Sequence, residues 1–250
     1  MFKSFIIVLS LFLFSCSSKR PKGETEAEIL YKESKALFDD GKYIQATEKL
    51  NSLKSEYPYS FYAKHAELML ADVLFSQENY VESASAYLLF REMHPKFENA
   101  EHVVWRIAES YFKQLPSTFD RDLSMANEAI KYYQEIIDRF SSGEHHKEAK
   151  EKIIRCSDMI QNKEKYIADF YFKTDEFSSA RYHYLIILDQ FKDNDLRKHS
   201  MKRILMASYN LGEFKECKNY YKKFFDDVRG EEKDELKEIY QQCKNKQLED

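Results

Sequence analysis

The sequence predicts an all-α protein of stacked helical hairpins, and three observations carry that expectation. Only five Gly and four Pro occur in 250 residues. An all-β sandwich or barrel, with a turn every 8–12 residues or so, usually spends more of both. Apolar residues recur at spacings of three and four, which mark one face of a helix. Positions also repeat at a fixed interval. Phe38, Phe75 and Phe112 lie 37 apart, as do Tyr43 and Tyr80, Pro58 and Pro95, Phe172 and Tyr209, and Phe177 and Phe214. Such a period is the signature of a repeat architecture. With 43% hydrophobic residues, the chain can bury a sizeable core.

The first segment reads as an address rather than as part of the fold. Lys3 supplies a short basic start, and Phe5–Phe14 is apolar except for Ser10. A run of ten is half of the about 20 residues that a membrane helix needs, and it suits the core of a secretory signal. It ends Leu13-Phe14-Ser15-Cys16. This resembles the lipobox of bacterial lipoproteins, with Phe14 where a smaller residue is usual. The resemblance implies that residues 1–15 are a removed signal peptide and that Cys16 carries a covalent lipid. Several acyl chains would exceed the marginal hold of one. Ser17 after Cys16 resembles the pattern that sends lipoproteins to the outer membrane. Residues 16–26 then form a polar, lipid-anchored tether.

Residues 27–145 hold three repeats. In the first, Leu30, Ser34 and Leu37 share a helix face, Gly41 breaks the helix, and Ala46, Leu50 and Leu53 define the next face before Pro58 stops it. Gly accepts the left-handed turn cheaply, and Pro pushes its predecessor out of the α region. These residues fall at the signature positions of the tetratricopeptide repeat, which the unit resembles. The second repeat carries Ala71, Leu74, Tyr80, Ser83, Tyr87, Phe90 and Pro95. The third carries Val104, Ile107, Ala108, Tyr111, Ala129, Tyr133 and Ile136, with an insertion over Gln114–Ser124. Residues 146–250 hold two more repeats and a C-terminal capping helix over Glu231–Gln247. Lys147–Gln161 reads as continuous with the start of repeat four, or stacked beside it. The expectation is a tetratricopeptide-repeat α-solenoid of about five hairpins plus the cap.

Charge and motifs exclude several functions. The net charge of −4 argues against general nucleic-acid binding, which draws on basic surfaces. No GxxxxGK[ST], GxSxG, HExxH or GxGxxG is present, and no Cys/His spacing suits zinc. His145-His146 reads as surface loop, and Asp120-Arg121-Asp122 as charges that fix the insertion. No enzyme, metal or cofactor is expected beyond the lipid on Cys16. Cys156, Cys217 and Cys243 read as three half-buried thiols, with a Cys217–Cys243 bridge as the alternative.

Two features point to binding instead. The twelfth position of each unit is aromatic: Phe38, Phe75, Phe112, Phe172 and Tyr209. The fifth position adds Tyr31, Leu68 and Trp105. Either these residues fill the edge of the core, or Tyr31, Phe38, Leu68, Phe75, Trp105 and Phe112 line an apolar groove for a peptide. Arg197, Lys198, Lys202 and Arg203 open the fifth hairpin, as a solvated face or as a patch for an acidic partner.

The order of these parts resembles the BamD family of outer-membrane assembly lipoproteins. Tyr57-Pro58-Tyr59 followed by Tyr62, Asp120-Arg121-Asp122 ahead of Ala126, and Tyr166 through Tyr171 carry the local resemblance. It implies a non-catalytic scaffold, anchored by lipid to the periplasmic face of the outer membrane. Its N-terminal repeats would receive targeting segments of unfolded barrel proteins. The region around Arg197–Arg203 would dock a BamA-type barrel protein, alongside other lipoproteins of the machinery. The alternatives are another envelope repeat lipoprotein, such as a pilotin or a division or peptidoglycan-associated adaptor, or an envelope enzyme of unrecognised chemistry.

Overall fold

The computed structural model describes residues 21–249, and Cys16 with the signal segment lies outside them. The described residues form eleven α-helices and no strand. By contacts they divide into two units, one ending at Asn79 and one beginning at Tyr80. The sequence reading puts its division later, between residues 145 and 146.

The first unit holds α1 (Glu26–Asp39), α2 (Tyr43–Glu56) and α3 (Phe61–Ser76). Thr25 caps α1 by accepting a hydrogen bond from the Glu28 amide, and Ser60 caps α3 through the Ala63 amide. Each cap satisfies a backbone donor that the helix itself leaves orphaned. Ala46, Leu50 and Leu53 of α2 are fully buried and meet Ala66, Met69 and Val73 of α3. On α1 the buried line is Ala27 and Ser34, with Leu30 and Leu37 half-buried beside it. At 100° per residue, Tyr31 and Phe38 flank that line on the other side.

The second unit holds α4 (Tyr80–Met93), α5 (Ala100–Lys113), α6 (Ser124–Arg139), α7 (His146–Lys173), α8 (Phe177–Gln190), α9 (Asn194–Asn210), α10 (Phe214–Phe224) and α11 (Glu231–Glu249). Helix α7 runs unbroken for 28 residues, so Lys147–Gln161 is continuous with repeat four. Tyr184, Ile187, Ile204, Leu205 and Phe224 centre the core of α7–α11, and α11 adds Leu236 and Ile239. Cys217 and Cys243 form a disulfide between α10 and α11. This corrects the expectation of three thiols and leaves Cys156 free and buried. Closing a loop of 26 residues removes unfolded-state entropy worth roughly 3 kcal/mol.

The 37-residue period is visible in the turns. Gly41, Glu78, Asp175 and Gly212 end α1, α3, α7 and α9 with φ of 73°, 62°, 62° and 71°. In each turn the next residue's amide reaches back to a carbonyl five residues earlier, as Lys42 does to Leu37 at 2.8 Å and Glu213 to Ser208 at 3.0 Å. This is the Schellman closure, which needs a left-handed residue. Glycine adopts that conformation freely, whereas Glu78 and Asp175 carry a steric penalty. Aromatic pairs bracket the turns: Phe38 with Tyr43, Phe172 with Phe177, and Tyr209 with Phe214, at centroid separations of 5.3–5.8 Å. Glu78→Gly and Asp175→Gly should each stabilise the protein by about 1 kcal/mol, and Gly212→Ala should destabilise it by about as much. Urea denaturation of the three variants checks both signs.

Candidate functional site

In the first unit, the spacing of α3 places Phe61, His65, Leu68, Asp72 and Phe75 along one helix face. Phe61 is 62% exposed and Tyr59, just before it, is fully exposed. The Phe61 ring lies 4.6 Å from His65 and 5.4 Å from Tyr62, centroid to centroid. Tyr31 reaches across from α1 to Tyr62 at 5.5 Å and His65 at 6.0 Å. Burial first, and then the charges of Asp72 and Asp39, push the Tyr31 phenol above its usual range. Lys64 sits over the Phe61 ring at 5.0 Å. The result is an aromatic platform with carboxylate and ammonium groups at its margin. Tyr31, Phe38, Leu68 and Phe75 are all half-buried. Phe38 divides its surface between the core and the turn aromatic Tyr43. Phe61 and His65 were missed in the sequence, and Tyr62 was named there only for the family resemblance. Their signal was the i, i+4, i+7 spacing of Phe61, His65 and Leu68.

The second unit treats its predicted groove residues differently. Trp105 is only 7% exposed, and its ring stacks flat on His145 at 4.3 Å. His145 is therefore a stacking partner at the start of α7, and its amide donates to Glu101 at 3.0 Å. It lies in the turn before α7, as the surface-loop reading has it, but half-buried under Trp105. Phe112 is half-buried, with Lys152 Nζ 4.2 Å above the ring and Arg155 at 5.2 Å. Phe172 has Arg203 over it at 4.4 Å. A cation over an aromatic face is held by the ring quadrupole. So α7 cations cover Phe112 and an α9 cation covers Phe172.

Two tyrosine–carboxylate pairs pin this unit, the first buried and the second half-buried. Tyr133 donates to Glu109, which also pairs with Lys152 at 2.9 Å. Burial and the Glu109 charge push the Tyr133 phenol far up. Tyr184 donates to Asp169 at 2.5 Å, and His199 Nε2 lies 3.0 Å from the same carboxylate. Burial would raise the Asp169 carboxyl, but hydrogen bonds from Lys165, Tyr184 and His199 outweigh it and hold it at about 2.

The predicted docking cations all have partners inside the chain. Arg197 donates to the carbonyls of Leu188 and Phe191 and so closes the end of α8. Lys198 pairs with Glu232 at 2.7 Å and Lys202 with Glu235 at 2.8 Å. Arg203 lies on Phe172. Exposed pairs of this kind contribute little to stability, so they can be exchanged. A further cluster went unpredicted: Phe119, Tyr166 and Phe170 are exposed beside Lys165 and Lys173. The insertion that delivers Phe119 is pinned where Lys163 donates to the Arg121 carbonyl at 2.6 Å. Asp122 accepts from Ser124 at the start of α6. These charges fix the loop.

Among the described residues no group of three or more His, Cys, Asp or Glu could hold a metal. No described helix is long and apolar enough to cross a membrane. A family model described as YfiO, outer membrane lipoprotein, matches residues 23–223. The chain belongs to this family. Curated relatives are outer membrane protein assembly factors named BamD. That of Rickettsia prowazekii is 26% identical over 219 residues, 87% of each chain. That of Caulobacter vibrioides is 20% identical over 217 residues, 85% of this chain and 71% of its own. A solved yeast Sti1 TPR2AB-domain:pHSP90 complex is similar at a TM-score of 0.45 and 12% identity, covering 89% of this chain and all of its own.

Asp169 gives the second unit a signature in acid. Its folded pKa lies below the ordinary 3.8, so its stabilising contribution is complete above that pH and is lost as pH falls toward 2. A shift of this size corresponds to roughly 2 kcal/mol. Denaturation of the wild type between pH 5 and pH 2 should lose about that much more stability than Asp169→Asn does.

Proposed function

We propose that the chain is a non-catalytic scaffold of outer-membrane β-barrel assembly. In this reading it is anchored by a lipid on Cys16 to the periplasmic face of the outer membrane. Family membership across residues 23–223 supports assembly work, and the aromatic platform of the first unit supports the manner of it. Exposed rings held on rigid helices bury large apolar area at little entropic cost, as interface anchors do. Phe61, Tyr62, His65, Tyr31 and Leu68 would seat an extended segment bearing aromatic side chains. Targeting segments of unfolded barrel proteins are such ligands.

The second half of the proposal concerns a BamA-type barrel protein. Lys202 and Arg203 would meet its acidic groups, exchanging the internal pairs for intermolecular ones. Such contacts act mainly on association rate and salt dependence. The disulfide supports an oxidising compartment, since disulfides persist there and not in the cytosol.

Phe61→Ala with Leu68→Ala should weaken binding of aromatic-ended barrel peptides by about tenfold or more, with the circular dichroism spectrum and BamA binding unchanged. Unchanged peptide affinity in the folded variant would remove the platform from this role. Lys202→Glu with Arg203→Glu should weaken BamA capture and flatten its dependence on salt. Mild-detergent pull-down of the lipidated protein reads both, and recovery of a secretin instead of a barrel protein would overturn the assignment.

A further inference from the structure

We propose that α11 is a latch, a covalently held cover over the cationic face of α9, closed by oxidation of Cys217 and Cys243 in an oxidising compartment. The inference stands on the geometry of α9–α11 and does not depend on which partner the chain serves.

Non-covalent contacts hold α11 only loosely. Of its side chains, Leu236, Ile239 and Cys243 are buried. Its acidic start meets α9 through two half-exposed ion pairs, Lys198–Glu232 and Lys202–Glu235. Clefts of about 450 and 270 Å³ run along the seam, lined by Arg197, Lys198, Lys202 and Arg229 with Glu232 and Glu235. Tyr221 stacks on Tyr240 at 4.3 Å, and at the surface Lys218 donates to Gln247 at 3.0 Å and Lys233 lies over the Phe225 ring at 3.5 Å. The family match also stops at residue 223, before α11 begins at Glu231. The cover therefore lies outside the segment that defines the family.

The covalent bond is placed where it can dominate. Cys217 occupies the position at which other hairpins keep Ala46, Ser83 and Ala180, all buried, so the second helix can approach its neighbours closely. Cys156 is buried on α7, its thiol pushed up to about 11 by burial, and it is inert toward exchange. That leaves one pairing. Both bonded sulfurs are fully buried, so the oxidant must act before α11 seats. In that step the two thiols give up two protons and two electrons and the Sγ–Sγ bond forms. An exchange oxidant of the envelope, itself a disulfide, is reduced to its dithiol. Closed, the latch neutralises Lys198 and Lys202. Unclosed, it frees Lys202 and leaves Lys198 only Asp195, 3.9 Å away on its own helix, so that an acidic helix from elsewhere can take the place of α11.

Two measurements on the full-length chain test this. Protein taken from its own envelope is alkylated before and after reduction and mapped by mass spectrometry. Cys217 and Cys243 should react only after reduction, and reaction of both without it would overturn the proposal. Hydrogen exchange is then compared between the oxidised chain and Cys217→Ala/Cys243→Ala. Amides of α11 should exchange at least ~10-fold faster in the variant while α5–α8 keep their rates. Unchanged protection of α11 would mean that packing alone holds it. Equal loss in α5–α8 would make the disulfide a general staple. Either result ends the latch.

Discussion

The fold depends on one constraint, the reversal of the chain within two residues at the end of each first helix. A hairpin can bring its apolar stripes together only if the turn is short, and the short turn demands a left-handed residue. The chain meets that demand at Gly41, Glu78, Asp175 and Gly212, in two pairs 37 apart. Around it the sequence fixes an aromatic three residues before and another two residues after. Where both helices of a hairpin lie in one unit, the second then lies close enough to need a small residue, as at Ala46, Ala180 and Cys217, all buried. Turn, bracket and small residue are one device, which explains why their intervals coincide.

Stacking alone does not fix the angle between helices. In the second unit the buried phenols do so. Tyr133 reaches Glu109 and Tyr184 reaches Asp169, each a carboxylate three residues before the turn aromatic. A buried carboxylate without partners would be costly, so each hydrogen bond accepts only the matching register. Lys152 and His199, which meet the same carboxylate oxygens as the phenols, come from the following first helices α7 and α9. The same helices supply the cations over Phe112 and Phe172. Two polar clusters thus order successive hairpins, and the helices that complete them also cover the ring faces that a groove would need open.

Period and composition made the hairpins legible, because turn geometry and helix faces act locally on the sequence. Glu78 and Asp175 were not legible as turn residues, since nothing in a charged side chain announces positive φ. Trp105 and Phe112 share helix positions with Tyr31 and Phe38, so spacing predicts one role for all four. Their difference comes from His145, Lys152 and Arg155, which lie 30 or more residues further along the chain. The disulfide stood in the sequence only as an alternative: Cys217 and Cys243 carry no spacing motif, and only the docking of α11 brings them together. Phe61 escaped notice because the repeat pattern assigns no work to the first turn of a helix, and Tyr62 counted there only toward a family resemblance.

The two units accordingly present unlike chemistry. In the second, the ring faces of Phe112 and Phe172 are covered by cations and Trp105 by an imidazole, so little aromatic surface remains on that ladder. In the first, Phe61 and Tyr59 stand in solvent, at a hydrophobic cost that folding does not recover. Single exposed rings are ordinary on protein surfaces, but Phe61 is held in a cluster with Tyr62, His65 and Tyr31 rather than scattered. Clustering limits the rotamers open to each ring, so less side-chain entropy remains to be lost on binding. A preordered platform of this kind suits a ligand that arrives extended and unfolded, because the ligand then carries nearly all of the ordering cost.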